Sequence, residues 1–281
     1  MAPGPPAPLA PTLVAHLFPP LGRELVALLR ALDGAAWRHP TVCAAWTVHD
    51  IAAHLLDTAC RRLAFGRDGH TPPAERIDDY GELLRLLDRL NAEWVAAARR
   101  LSPRLLTDLI EWVEPQLADF LAGLDPWAEG VPVAWAGETR SPSWFDVARE
   151  LTERWHHQQQ IRLAVGAPPL TDPELSEPVF DTFLRALPHR YRDVAAPPGS
   201  AVAVAIHGAQ TYAYTLRREA DSWLLLKGHE PEPAAAVALD EEPAWLLLTK
   251  GLPGAVARAR AEIAGDAHLA APFFEVIAVM A

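Results

Sequence analysis

Apolar positions recur at helical spacing through the first 165 residues, then give way after residue 170 to short β-prone runs. Leu25, Leu28, Leu29 and Leu32 mark one face of a first helix over about 10–32, whose start Pro19 and Pro20 break or delay. A loop with Gly34, Trp37 and Pro40 follows. Thr47-x-x-Asp50 has capping-box spacing, which predicts a second helix from Thr47 to about Arg62. A third helix covers about 78–101, and a fourth opens at Ser102-Pro103, where Ser caps and Pro fits the first helical position. The irregular stretch from Val131 to Arg140 suits a small hairpin. Ser141-Pro142-Ser143 then opens a helix over about 143–165, stopped by Gly166 and Pro168-Pro169. Four long helices plus one extra segment fit a bundle with a crossover connection.

The later runs AVAVAIHG, TYAYTLRR, SWLLLKG and AAAVALD read as strands separated by turn residues. Helical stretches over about 241–250 and 254–260, and an apolar run over about 272–280, complete the pattern. The expected organisation is a helical bundle over 1–168 and a small α+β domain over 169–281, joined by a Pro-rich linker. The first 13 residues read as a floppy Pro-rich lead-in without the charged start of a secretory signal.

Half of the 281 residues are apolar, so a buried core is expected. The formal charge of −11 and the lack of any basic run argue against nucleic-acid binding, which needs clustered cations to release counterions. No apolar stretch approaches the roughly 18–20 residues that span a bilayer, so no membrane partner is expected. Two cysteines make no disulfide framework, which favours a reducing, cytoplasmic setting. Cationic positions are nearly all Arg, with Lys227 and Lys250 the exceptions, a bias that suits a GC-rich bacterial genome.

Two segments carry candidate chemistry. His54 lies four residues after Asp50 and three before Asp57, so the three share a helix face. It reads either as a core histidine bonded to one of those carboxylates or as a metal ligand. Glu153 and His157 stand four apart and point toward one spot. They lie opposite the stripe of Trp144, Val147, Ala148, Leu151 and Trp155, so a solvated face is the competing reading. Combined, one His from an early helix and Glu-x-x-x-His from a late one supply three ligands. Three protein ligands leave a coordination position open, the catalytic rather than the structural arrangement. Cys43 and Cys60 read as small buried residues, so any reacting thiol must come from outside. Trp94, Trp112, Trp127, Trp135 and Trp144 suit core packing or the lining of an apolar pocket.

WTVHDIAAHL resembles the signature of DinB-like metal-binding bundles, and ELTERWHHQQQIRLAVG is similar to the second signature of the mycothiol-dependent maleylpyruvate isomerase family. AYTLRREADSWLLLKG, AVALDEEPAWLLLTKG and AEIAGDAHLAAPFFEVIAVMA follow in that family's order, so the resemblance covers nearly the whole chain. It implies a DinB-like four-helix bundle followed by a small sterol-carrier-like α+β domain. It implies a divalent metal, usually zinc, on His54, Glu153 and His157, with His157 preferred over the adjacent His156. It also implies mycothiol or another low-molecular-weight thiol as cosubstrate for addition to, or isomerisation of, a small-molecule electrophile. Asp50 or Asp57 would orient His54, and Gln160 stands where many members carry an Asp. A metal-dependent hydrolase and a non-catalytic metal or small-ligand binder are the alternatives. Neither the substrate nor the oligomeric state is legible.

Overall fold

The computed structural model describes residues 4–71 and 77–279. They form two compact units, a helical one of Val14–Asp125 with Glu153–Pro169, and a sheet-containing one of the first residues to Leu13, Pro126–Thr152 and Leu170–Val279.

In the helical unit, α1 spans Phe18–Ala31, α2 Val48–Arg62, α3 Tyr80–Ala98 and α4 Pro103–Ala122, and the second half of α5, Ser143–Val165, completes it. The first helix begins at Phe18 rather than near residue 10. Pro19 and Pro20 occupy its first turn, where missing N–H groups cost nothing, and Leu21, Leu25, Leu28 and Leu29 are buried. Thr47 caps α2 through a complete capping box: its hydroxyl accepts from the Asp50 N–H, and its own N–H donates to the Asp50 carboxylate. Ser102 caps α4 as its spacing predicts. Beyond Arg62 the second helix continues as a π turn over Leu63–Arg67, which the sequence pattern did not announce.

α1 and α2 pack on α4, and α2 packs on α3. α5 is tied to three of them. Arg154 forms a buried ion pair with Glu114 of α4, Gln158 donates to the Leu21 carbonyl of α1 at 3.1 Å, and Arg154 reaches the Leu55 carbonyl of α2. The solvated-face reading of α5 is therefore overturned: Gln158, Gln159 and Gln160 are at most 3% exposed.

In the other unit, six strands order as β1-β6-β5-β4-β7-β8, with β1 at Ala7–Pro8, β4 Ala201–His207, β5 Thr211–Arg218, β6 Trp223–Lys227, β7 Ala235–Asp240 and β8 Glu262–Gly265. Among the described residues only β4 and β7 pair in parallel. The two-residue strands β2, Glu129–Gly130, and β3, Ser141–Pro142, flank the segment expected to form a hairpin. Two expectations are corrected here. The expected domains are not joined by a bare Pro-rich linker: past residue 170 the chain carries α6, Pro173–Phe183, and α7, Leu187–Arg190, with Val179, Phe180 and Phe183 fully buried. The N-terminal stretch, from residue 4 onward, is not floppy: Ala7 and Pro8 pair with Leu226 and Lys227, and Arg185 donates to the Ala10 carbonyl. Proline suits such an edge, where its missing donor faces away from the ladder. α8, Glu241–Leu248, follows β7 directly, and the last apolar run contains the 3₁₀ turn Ala271–Glu275, its position 280 lying outside the described residues. Among the described residues no helix is long and apolar enough to cross a membrane.

Candidate metal centre

α2 and α5 bring His54, Glu153 and His157 together. One donor atom from each lies within 4.8 Å of the other two, the only such group of three or more His, Cys or carboxylate side chains among the described residues. The Nε2 atom of His157 stands 3.6 Å from Glu153 Oε2, and the imidazoles of His54 and His157 meet edge to face at 4.8 Å. Both histidines are buried, while Glu153 keeps about a fifth of its side chain open. Two nitrogens and a carboxylate oxygen suit a borderline divalent cation.

Burial, reinforced by the neighbouring His157, holds the His54 imidazole well below its usual pKa, so it stays neutral with a lone pair to offer. Its Nδ1 is buried without a hydrogen-bond partner among the described residues. Asp50 and Asp57, expected to orient His54, are engaged elsewhere. Asp50 is occupied by its capping box and by Arg99, whose Nε donates at 2.9 Å. Burial opposes the Asp50 charge, but the bonds from Arg99 and Thr47 outweigh it and hold the carboxyl below the ordinary range. Asp57 faces Arg61 at 2.9 Å, and burial raises its carboxyl.

His157 does have an orienting partner: Gln160 Oε1 lies 2.8 Å from His157 Nδ1. A neutral carboxamide here fixes the ring without adding charge. His156 packs its ring 4.1 Å from that of His157 but is not one of the three converging groups.

Two more residues complete the surroundings, Trp46, which the sequence did not single out, and Cys43, whose contact it did not show. Trp46 lays its ring 4.9 Å from His54 and 6.3 Å from His157, giving the imidazoles an aromatic wall. Cys43 donates its S–H to Gln160 Oε1 at 3.4 Å. Both sit on a loop closed by the Pro40–Thr47 bridge and by Thr41, whose hydroxyl donates to the Trp46 carbonyl at 2.9 Å. Burial pushes the Cys43 thiol up to about 11, with nearby Glu153 adding to the shift against the Gln160 bond, and burial likewise raises Cys60. Neither is a thiolate near neutrality. Of the tryptophans named from sequence, Trp112 and Trp127 are exposed, Trp94 donates to the Ala53 carbonyl, and Trp135 and Trp144 pack on Phe145. They serve packing and surface, and none is part of the metal-ligand cluster.

Residues 18–162 match the family model of the mycothiol maleylpyruvate isomerase N-terminal domain. No curated protein sequence matches the chain significantly. Among solved structures, a histidine-to-alanine mutant of the mycothiol-dependent maleylpyruvate isomerase superimposes with a TM-score of 0.54 at 13% identity, covering 89% of this chain and 91% of that one. A further structure of the mycothiol-dependent maleylpyruvate isomerase gives 0.50 at 14% identity, covering 83% and 86%.

Proposed function

The chain belongs to the mycothiol maleylpyruvate isomerase N-terminal domain family, and on that premise we propose that it is a metal-dependent enzyme joining a low-molecular-weight thiol, mycothiol as in the relatives' names, to an electrophilic small molecule, with isomerisation as the outcome. The observation that carries this reading is the convergence of His54, Glu153 and His157 in a unit whose own cysteines are held protonated.

The donors fit a divalent cation. In a tetrahedral zinc site with bonds of about 2.0–2.2 Å, ligand atoms stand about 3.4 Å apart, against 3.6 Å between His157 Nε2 and Glu153 Oε2. The orphaned Nδ1 of His54 adds a buried nitrogen in need of a partner. A cation held there would act as a Lewis acid that favours the thiolate form of a thiol reaching it. The chain's own groups do the rest. His54 presents a neutral ring, Glu153 brings the one negative charge, and Gln160 fixes the plane of His157. Trp46 keeps water from one side of both imidazoles. Addition of sulfur to an activated double bond, rotation and elimination would interconvert the isomers of such an electrophile.

Metal analysis of purified protein tests the first half of the reading, and thiol titration of a cobalt-substituted form the second. A thiolate-to-cobalt charge-transfer band is expected, and its absence with every thiol tried would leave the thiol reading without support. His157→Ala protein should lose stoichiometric metal. Retention of a full equivalent would show the ligand set to be wrong.

A further inference from the structure

One carbonyl oxygen, Gln160 Oε1, meets two side chains: it accepts from Cys43 Sγ at 3.4 Å and lies 2.8 Å from His157 Nδ1. A carboxamide has nearly the same shape when turned end for end, and only its hydrogen bonds tell the two orientations apart. With Oε1 toward His157, the imidazole carries its proton on Nδ1 and keeps a lone pair on Nε2, the nitrogen facing Glu153. With the amide NH₂ toward His157, the proton must move to Nε2 and the lone pair that could hold a metal is lost. A neutral imidazole can carry its proton on either nitrogen, and without a metal the Glu153 carboxylate, 3.6 Å from Nε2, draws the proton away from Nδ1.

The thiol opposes that pull. An S–H is a weak donor and sulfur a weak acceptor, so a carbonyl is its better neighbour than an NH₂ group. Gln160 is 1% exposed, so solvent offers no competing partner. The thiol is also held in place. The Cys43 N–H donates to Thr41 Oγ1 at 3.2 Å and its carbonyl accepts from the Trp46 N–H at 2.8 Å, within the loop closed by the Pro40–Thr47 bridge.

We propose that Cys43 is a positioning residue: its S–H keeps the Gln160 amide turned with Oε1 toward His157, and so keeps the His157 proton on Nδ1 and the lone pair on Nε2. Its importance for metal binding rests on the function proposed above, but the tautomer itself is readable in metal-free protein.

The full chain, labelled with ¹⁵N-histidine and stripped of metal, is examined by two-bond ¹⁵N–¹H correlation at about pH 8.5, where an ordinary imidazole is neutral. His157→Gln protein identifies the His157 signals among the eleven histidines. Wild type should show the Nδ1–H pattern. Cys43→Ala should move the ratio of the two tautomers about fivefold toward Nε2–H, the weight of one modest hydrogen bond. Adding Gln160→Glu to Cys43→Ala should restore Nδ1–H, because a carboxylate has no donor end to present; a purely structural role for Cys43 would not be rescued this way. An unchanged pattern in Cys43→Ala, or no restoration in the double variant, overturns the proposal. Should Cys43→Ala fail to fold, Cys43→Val, of similar bulk and with no donor, supplies the test and should move the ratio the same way. An unchanged Nδ1–H pattern there overturns the proposal equally. Because no metal is present, failure of the metal reading leaves each of these outcomes unaltered.

Discussion

Cys43 sits on a half-buried loop with its sulfur against a carbonyl oxygen, and burial pushes its pKa up to about 11. Thiols react as thiolates, so iodoacetamide should leave Cys43 unmodified at neutral pH, with alkylation by mass spectrometry rising only as pH approaches that value. Modification at neutral pH at the rate of a free cysteine would contradict the burial argument. Sequence reasoning read Cys43 as inert, which this environment agrees with, but its contact with Gln160 was not visible. That contact depends on closure of the loop between Pro40 and Thr47 and on α5 arriving from 117 positions away. Trp46 was hidden for the same reason. Conversely, the grouping of His54, Glu153 and His157 was legible, because four-residue spacing on α5 and a histidine set among the apolar residues of α2 leave few other ways to point. The roles given to Asp50 and Asp57 were misread. Sharing a helix face with His54 made them available, yet arginines with stronger claims took both.

Helix starts were the most legible elements, since caps are local chemistry. Thr47, Ser102 and the prolines after residue 18 each act within one turn. Thr47→Ala removes the hydroxyl half of the capping box and should cost about 1 kcal/mol by denaturant titration. A loss under a few tenths would mean that the Asp50 carboxylate, braced by Arg99, caps the helix alone. What periodicity misjudged was α5. An apolar stripe implies a wet opposite face only for a helix with neighbours on one side, whereas residues of α1, α2 and α4 all bond to α5. Its buried polar positions are matched by partners from those helices, as with Arg154 on Glu114 and Arg162 on Glu24. The helices over 173–190 escaped notice because prolines punctuate them: Pro173 and Pro188 occupy first-turn positions, and Pro178 lies inside a helix.

At the scale of the whole molecule, the class of each half was legible from the change of period near residue 170, but not which segments would gather together. Residues near the N-terminus finish a sheet whose other strands begin at residue 201, a pairing without local signal. It depends on Gly228, whose φ of +112° suits only glycine and whose missing side chain would stand 2.6 Å from the Pro5 carbonyl. Gly228→Ala should destabilise the protein by more than about 1 kcal/mol and open residues 4–8 to proteolysis, both measurable by denaturant titration and timed digestion; unchanged resistance would show the strand to be held elsewhere. The placing of the three converging groups has a thermodynamic side as well. His54 and Glu153 are 99 positions apart, 153 minus 54, on the two separate stretches that make up the helical unit. A cation bound by both would act as a clasp, closing a long loop that the unfolded chain leaves free. At a free concentration a thousandfold above its dissociation constant it would add about 4 kcal/mol to stability. A chelator should then lower Tm of the wild type and leave His157→Ala unmoved, so a group gathered for chemistry would also fasten the two ends of its own unit.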